Sequence, residues 1–250
     1  MRSLGKLTWV ELKLFVRDPF TVLFTFAYPF FVLFILAGVF GNTLETPQDV
    51  DTWRGVGPTD YYVPAYVGVV LASIGFLALP LRLAGYRERG VLRRFRASSL
   101  SVWWILGSQM LVAAVMAVIG AVSVTVAARI VYGTFWPRDL VLTVLAFLLG
   151  VVAFGSIGVF LGAVLPNSRA AQSAGLILFF ATFMISGAGP PPEALGANLE
   201  AVSRVLPLTH VVRVIQDPWL GYGWSPESSL IVAGMAVASA ALSVRLFRWE

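Results

Sequence analysis

Twenty consecutive residues, Thr21 to Phe40, carry no charge and include thirteen Leu, Ile, Val or Phe side chains. At mid-bilayer each of these side chains favours insertion by about 0.3–0.6 kcal/mol, roughly 4–8 kcal/mol together. As a helix the run measures about 30 Å, the thickness of the hydrocarbon layer. Lipid offers no partner for backbone N–H and C=O groups, so such a run must satisfy them internally, as a helix does. Five more apolar stretches follow, at about 61–83, 103–131, 139–165, 170–187 and 229–246. The third is long enough to tilt or to leave the bilayer, and Pro29 predicts a kink in the first. With 58% hydrophobic and only 12% charged residues, the chain is predicted to be an all-α integral membrane protein. It has six transmembrane helices in a single transmembrane domain over 1–250.

The charges concentrate in two places. In the leader, residues 1–19, Arg2, Lys6, Lys13 and Arg17 recur at spacings of four, seven and four, which sets all four within about 60° on one helical face. Leu4, Leu7, Val10, Leu14 and Phe15 form another face, where Glu11 and Asp18 intrude. This pattern predicts an interfacial helix on an anionic lipid surface, with Trp9 anchored at headgroup level. An ordinary positively charged leader is the simpler alternative. A cleaved signal peptide fits less well, because the apolar run is longer than an h-region of about 7–15 residues.

The second concentration is YRERGVLRRFRASSLS, Tyr86 to Ser101, where Arg87, Arg89, Arg93, Arg94 and Arg96 accompany one acid, Glu88. Read as a helix, Val91, Leu92 and Phe95 fall within an arc of about 100°, with the arginines on the opposite half. Gly90 predicts a break or bend. The segment either serves only to fix orientation or docks a soluble partner, with Val91, Leu92 and Phe95 filling a groove and the charges setting register.

Between the fifth and sixth spans GPPP, Gly189 to Pro192, stops the helix. Leu199, Val202, Val205 and Leu206 then share one face, and a second short helix is predicted over Thr209–Gln216 with Thr209 as N-cap. Both are too short to span, which predicts an external re-entrant hairpin before the last span. Thirteen Lys and Arg residues fall on the side of the N-terminus and five on the other. The positive-inside rule therefore predicts both termini and the basic segment in the cytoplasm, in the cytoplasmic membrane. The net charge of +5 is accounted for by this topology, so no nucleic-acid partner is expected.

Catalytic motifs are missing. A P-loop needs a lysine that reaches phosphates, and the only lysines are Lys6 and Lys13. There is no HExxH or GxSxG motif, no cysteine, and one histidine, His210, which is expected to be structural. Ion-coupled carriers use ionisable groups at mid-membrane; Arg82 and Arg129 sit near span ends, and no mid-span Asp, Glu or Lys occurs. Gln109 and Gln172 are expected to pack or hydrogen-bond between helices, and Gly158 with Gly162 to form an intrachain packing pair. A carrier of this kind is passive or takes work from a partner.

Three stretches resemble the type 2 ABC exporter permeases, which include daunorubicin-resistance-type drug exporters. They are ELKLFVRDPFTVLFTFAYPFF (Glu11–Phe31), YRERGVLRRFRASSLSVWWILGSQML (Tyr86–Leu111) and SGAGPPPEALGANLEAVSRVLPLTH (Ser186–His210). The second is similar to the family's E-x-G-x-L-x-x-L-x-x-(S/T)-P segment, with Phe95 where leucine is frequent and Ser98–Ser99–Leu100 without proline. The resemblance implies a non-enzymatic permease paired with a separate ATPase subunit in two copies, and with a second copy of itself or a homologous permease. No cofactor is expected in this chain; ATP and Mg would sit on the partner. The resemblance makes 87–96 an ATPase-coupling helix. It also implies a pathway lined from the second and fifth spans, with Tyr62, Tyr66, Phe76, Phe180, Phe183 and Met184 as candidates. The apolar spans favour a hydrophobic or amphipathic cargo, a drug, lipid or natural product. A polysaccharide or lipid-linked glycan, or a non-transporting scaffold that binds anionic lipid or a regulatory protein, is the alternative.

Overall fold

The computed structural model describes residues 2–44, 46–91, 102–192 and 195–246. Among them, α1 (Arg2–Val16) leads into α2 (Pro19–Phe40), and a short α3 (Pro47–Thr52) precedes α4 (Pro58–Glu88). Then come α5 (Val102–Tyr132), α6 (Leu140–Val164) and α7 (Ser168–Ile185), the short α8 (Ala197–Ser203) and α9 (Pro207–Leu220), and α10 (Pro226–Leu246). Six of these, α2, α4, α5, α6, α7 and α10, are long and apolar enough to cross a membrane. The chain is an all-helical, multi-pass membrane protein.

Local chemistry sets the helix ends. Asp18 accepts a hydrogen bond from the Phe20 N–H at 3.2 Å with Pro19 at the first helical position, so it caps α2 rather than intruding on a face of α1. Asp139 caps α6 through the Leu142 N–H at 2.9 Å, and Asn167 caps α7 through the Ala170 N–H at 2.8 Å. Thr209 is not the cap of α9: the helix starts at Pro207, one residue after Leu206, because proline needs no partner for an N–H there. Two prolines inside spans are absorbed by a widened turn. A π-helical turn at Leu23–Ala27 ends just ahead of Tyr28–Pro29, and another at Ile74–Ala78 just ahead of Leu79–Pro80. Each supplies an i→i−5 bond in place of regular pairing beside the proline ring.

The bundle is built around α4. Of its most apolar stretch 94% is buried, against 22–44% for the other five spans. Glycines let its neighbours approach. A Cβ on Gly158 or Gly162 of α6 would stand 2.8 Å from the Leu79 Cβ or 2.7 Å from the Leu83 Cβ. One on Gly175 of α7 would stand 2.2 Å from the Phe76 carbonyl oxygen, and one on Gly75 of α4 2.6 Å from that of Phe154. The Gly158–Gly162 pair thus packs within the chain, as small-residue stripes do where dispersion rather than hydrophobicity holds helices together. At 31 residues α4 is about 46 Å long, more than the hydrocarbon layer requires. Its last turns carry the basic end of the molecule.

Candidate functional site: the basic end of the central helix

Two polar clamps hold the last turns of α4. The first involves Arg82, which is 8% exposed, and Glu11 of α1, which is 4% exposed. The Arg82 Nη1 lies 3.5 Å from the Glu11 carboxylate and donates to the Glu11 backbone oxygen at 3.1 Å. One turn on, the Tyr86 hydroxyl donates to Glu11 Oε2 at 2.6 Å. The Arg82 guanidinium also lies 4.8 Å above the Phe15 ring. A carboxylate on the inner face of α1 is therefore the group that docks the leader onto the central helix. Its burial is compensated by a cation and a phenol, without which a buried charge is strongly unfavourable.

The second clamp grips the α6–α7 connection. Arg87 donates to the carbonyl of Ala163 at 2.8 Å and to that of Leu165, satisfying orphan carbonyls at the end of α6. Glu88 accepts from the Ser168 N–H at 3.1 Å and the Ser168 hydroxyl at 2.7 Å, placing a carboxylate on the first turn of α7. These hydrogen bonds hold the Glu88 carboxyl ionised to lower pH than an ordinary glutamate. The guanidinium of Arg89 lies 5.9 Å over the Tyr86 ring, and the helix stops there because Gly90 turns to φ +66°. The break expected at Gly90 is present. Val91 is half-buried, whereas Leu92, Arg93, Arg94, Phe95 and Arg96 lie outside the described residues.

In the leader, Thr8, Glu11 and Phe15 face inward, while Trp9, Val10, Leu14 and Val16 are exposed beside Lys13 and Arg17. The Lys13 ammonium sits 5.2 Å over the Trp9 ring. The side chains of Arg2 and Lys6 are outside the described set. The outward surface thus joins large apolar groups to cations, the combination suited to an interfacial position.

The aromatic candidates separate. Tyr62, Tyr66 and Phe183 are all buried together, with ring centroids 6.1 Å apart for Tyr62–Tyr66 and 6.3 Å for Tyr66–Phe183, and the Tyr62 hydroxyl donates to the Gly189 carbonyl at 2.9 Å. Phe76 lies elsewhere, edge-on to Phe154 at 5.3 Å. Phe180 and Met184 are exposed at 39% and 49%. Phe180 is flanked by Phe24 and Tyr28 of α2, with centroids at 6.1 and 5.7 Å. Sequence reasoning missed Phe24 and Tyr28 because only contact with α7 distinguishes them from their aromatic neighbours. It also passed over Glu11, Arg82 and Tyr86 as a unit. The signal for that unit was a carboxylate on an apolar helical face and an arginine six residues before the end of α4.

Gln109 is fully buried, and among the described residues neither of its amide atoms has a hydrogen-bond partner. His210 is structural in setting: its Nε2 lies 2.8 Å from the Arg204 carbonyl oxygen.

Comparison with curated proteins gives no match. The family model described as ABC-2 type transporter matches residues 2–218, from α1 through the basic end and on into the last turn of α9. With an apolar six-span bundle and this match over most of its length, the chain belongs to the ABC-2 type transporter family.

Proposed function

We propose that this chain is the permease subunit of an ATP-driven exporter of a hydrophobic or amphipathic substrate, powered by ATP and Mg²⁺ on a separate ATPase subunit. Two copies of the ATPase and a second permease complete the machine. The protein lies in the cytoplasmic membrane with both termini and the basic segment in the cytoplasm. Membership of the ABC-2 family supports the transport reading. The observation that carries the coupling assignment is the double clamp on α4. The basic segment leaves a helix that is tied to α1 through Glu11 and to the α6–α7 connection through Arg87 and Glu88. A displacement applied to that segment by a partner is delivered at once to the leader, the central helix and two further spans.

In this reading Arg87 and Glu88 position the segment, and Val91, Leu92 and Phe95 anchor it to the ATPase, with Arg89, Arg93, Arg94 and Arg96 around the rim. The leader, with Arg2, Lys6, Trp9, Lys13 and Arg17, rests on anionic lipid. Phe180 and Met184 contribute an apolar wall to the pathway, with Tyr62, Tyr66 and Phe183 behind it. A buried aromatic anchor outweighs an exposed ion pair, about 2 kcal/mol or more against 0–1 kcal/mol. Phe95→Ala is therefore expected to uncouple ATP hydrolysis from transport more severely than Arg96→Ala in the reconstituted complex. Wild-type behaviour of Phe95→Ala in both assays, or failure of any ATPase to copurify from native membranes, rejects the coupling assignment.

A further inference from the structure

About 40 Å along α4 from the basic end, α8, α9 and the first turn of α10 surround a cavity of about 560 Å³. That is the size of a small-molecule site, 300–1,000 Å³. Most of the charges around it are already committed. Arg54 pairs with Asp217 at 2.6 Å and Arg204 with Glu200 at 2.7 Å. A carbonyl oxygen only accepts, so the His210 Nε2 facing Arg204 carries the proton, and in the neutral ring Nδ1 is left as an acceptor opposite the Ser228 hydroxyl at 3.5 Å.

Three of the uncommitted lining groups among the described residues bear on a ligand. Arg213 of α9 and Glu227 in the first turn of α10 are exposed at the cavity mouth and form no ion pair among these residues. Ser186, at the end of α7, is 2% exposed, and its buried Oγ has no hydrogen-bond partner. A buried hydroxyl without a partner is unfavourable and is normally met by water or by a ligand. Among the described residues the cavity thus offers a cation from α9, a carboxylate from α10 and an orphan hydroxyl just after α7. Trp224 at its rim presents an apolar body and a polar N–H, as suits a membrane boundary.

We propose that this cavity binds a zwitterionic head group in which a phosphate is linked to an amine. The phosphate pairs with Arg213, the ammonium with Glu227, and the Ser186 hydroxyl donates to a phosphate or ester oxygen. An anion alone engages only Arg213 and a cation alone only Glu227, whereas a ligand with both charges gains charge-assisted hydrogen bonds at each. The site is independent of the transport reading, because it requires neither nucleotide nor an ATPase.

The test titrates the purified full chain, in a maltoside detergent, with sn-glycero-3-phosphoethanolamine, and separately with glycerol 3-phosphate and with ethanolamine. The zwitterion is expected to bind about tenfold tighter than either half. Arg213→Gln and Glu227→Gln are each expected to weaken it about tenfold and Ser186→Ala several-fold, with thermal unfolding unchanged for the first two because both side chains are exposed and neither is in an ion pair among the described residues. Native mass spectrometry from bilayers of mixed phosphatidylethanolamine and phosphatidylglycerol separates the sources. Retention of phosphatidylethanolamine, lost in both charge variants, supports the site with a lipid as ligand. Binding of the soluble compound without that retention supports it with a water-soluble one. Equal affinity for a half-ligand, wild-type binding by Arg213→Gln and Glu227→Gln, or no binding in either arm overturns the proposal.

Discussion

Glu11 is the residue on which the leader's position depends. Its carboxylate is buried and meets both Arg82 and Tyr86. Removing one member of a buried pair leaves a charge without compensation and costs about 3–5 kcal/mol, while replacing both by apolar groups restores much of the loss. Glu11→Leu is therefore expected to lower the thermal stability of the purified chain strongly, and Glu11→Leu/Arg82→Met to lie closer to wild type. A double variant no better than the single one would show that Arg82 does not depend on Glu11. Arg54 is the counterpart at the other end of the molecule. It joins the loop before α4 to Asp217 of α9 and lies 4.8 Å over the Tyr222 ring, at a φ of +55° that non-glycine residues adopt sparingly.

Among the elements, α4 is distinguished by how closely others approach it. The α6 glycines admit Leu79 and Leu83, and Gly175 of α7 meets the Phe76 carbonyl inside the π-helical turn. Backbone cannot yield as a flexible side chain does. Gly175→Ala forces α7 away from α4 and is expected to cost about 1–3 kcal/mol. Gly107 of α5 has open space around its Cβ position. There the same substitution removes only the helix penalty of glycine and is expected to be neutral or to stabilise by up to about 1 kcal/mol. Parallel unfolding curves of the two variants check the contrast; equal effects would mean that the close approach of α7 is not under load.

For the whole molecule, the six-span topology read from the sequence assigns thirteen cations to the segments on the side of the N-terminus and five to the opposite segments. Because the natural chain has no cysteine, single cysteines can be introduced without background. Gly196, with open space around it, and exposed Thr46 lie on the cation-poor side; exposed Arg169, next to the Glu88 clamp, lies on the other. Gly196→Cys and Thr46→Cys are expected to react with an impermeant thiol reagent in intact cells and Arg169→Cys only after permeabilisation. Labelling of Arg169→Cys from outside reverses the orientation.

Sequence alone determined that this chain spans a membrane six times as helices. Bilayer thickness and the absence of backbone partners in lipid leave an uncharged run such as Thr21–Phe40 no other structure. The break at Gly90 also followed, because a positive φ acts within a few residues, whereas the cap expected at Thr209 did not form because Pro207 starts α9. Which span is central was not legible. Lipid tails and protein interior are equally apolar, so a span buried on every side, α4, carries the same pattern as one that faces lipid. The partners of Glu11, Arg82, Arg87 and Glu88 were hidden for a different reason. Their contacts join residues about 70–80 positions apart, and only the packing of α1, α6 and α7 around α4 brings those charges within reach of one another.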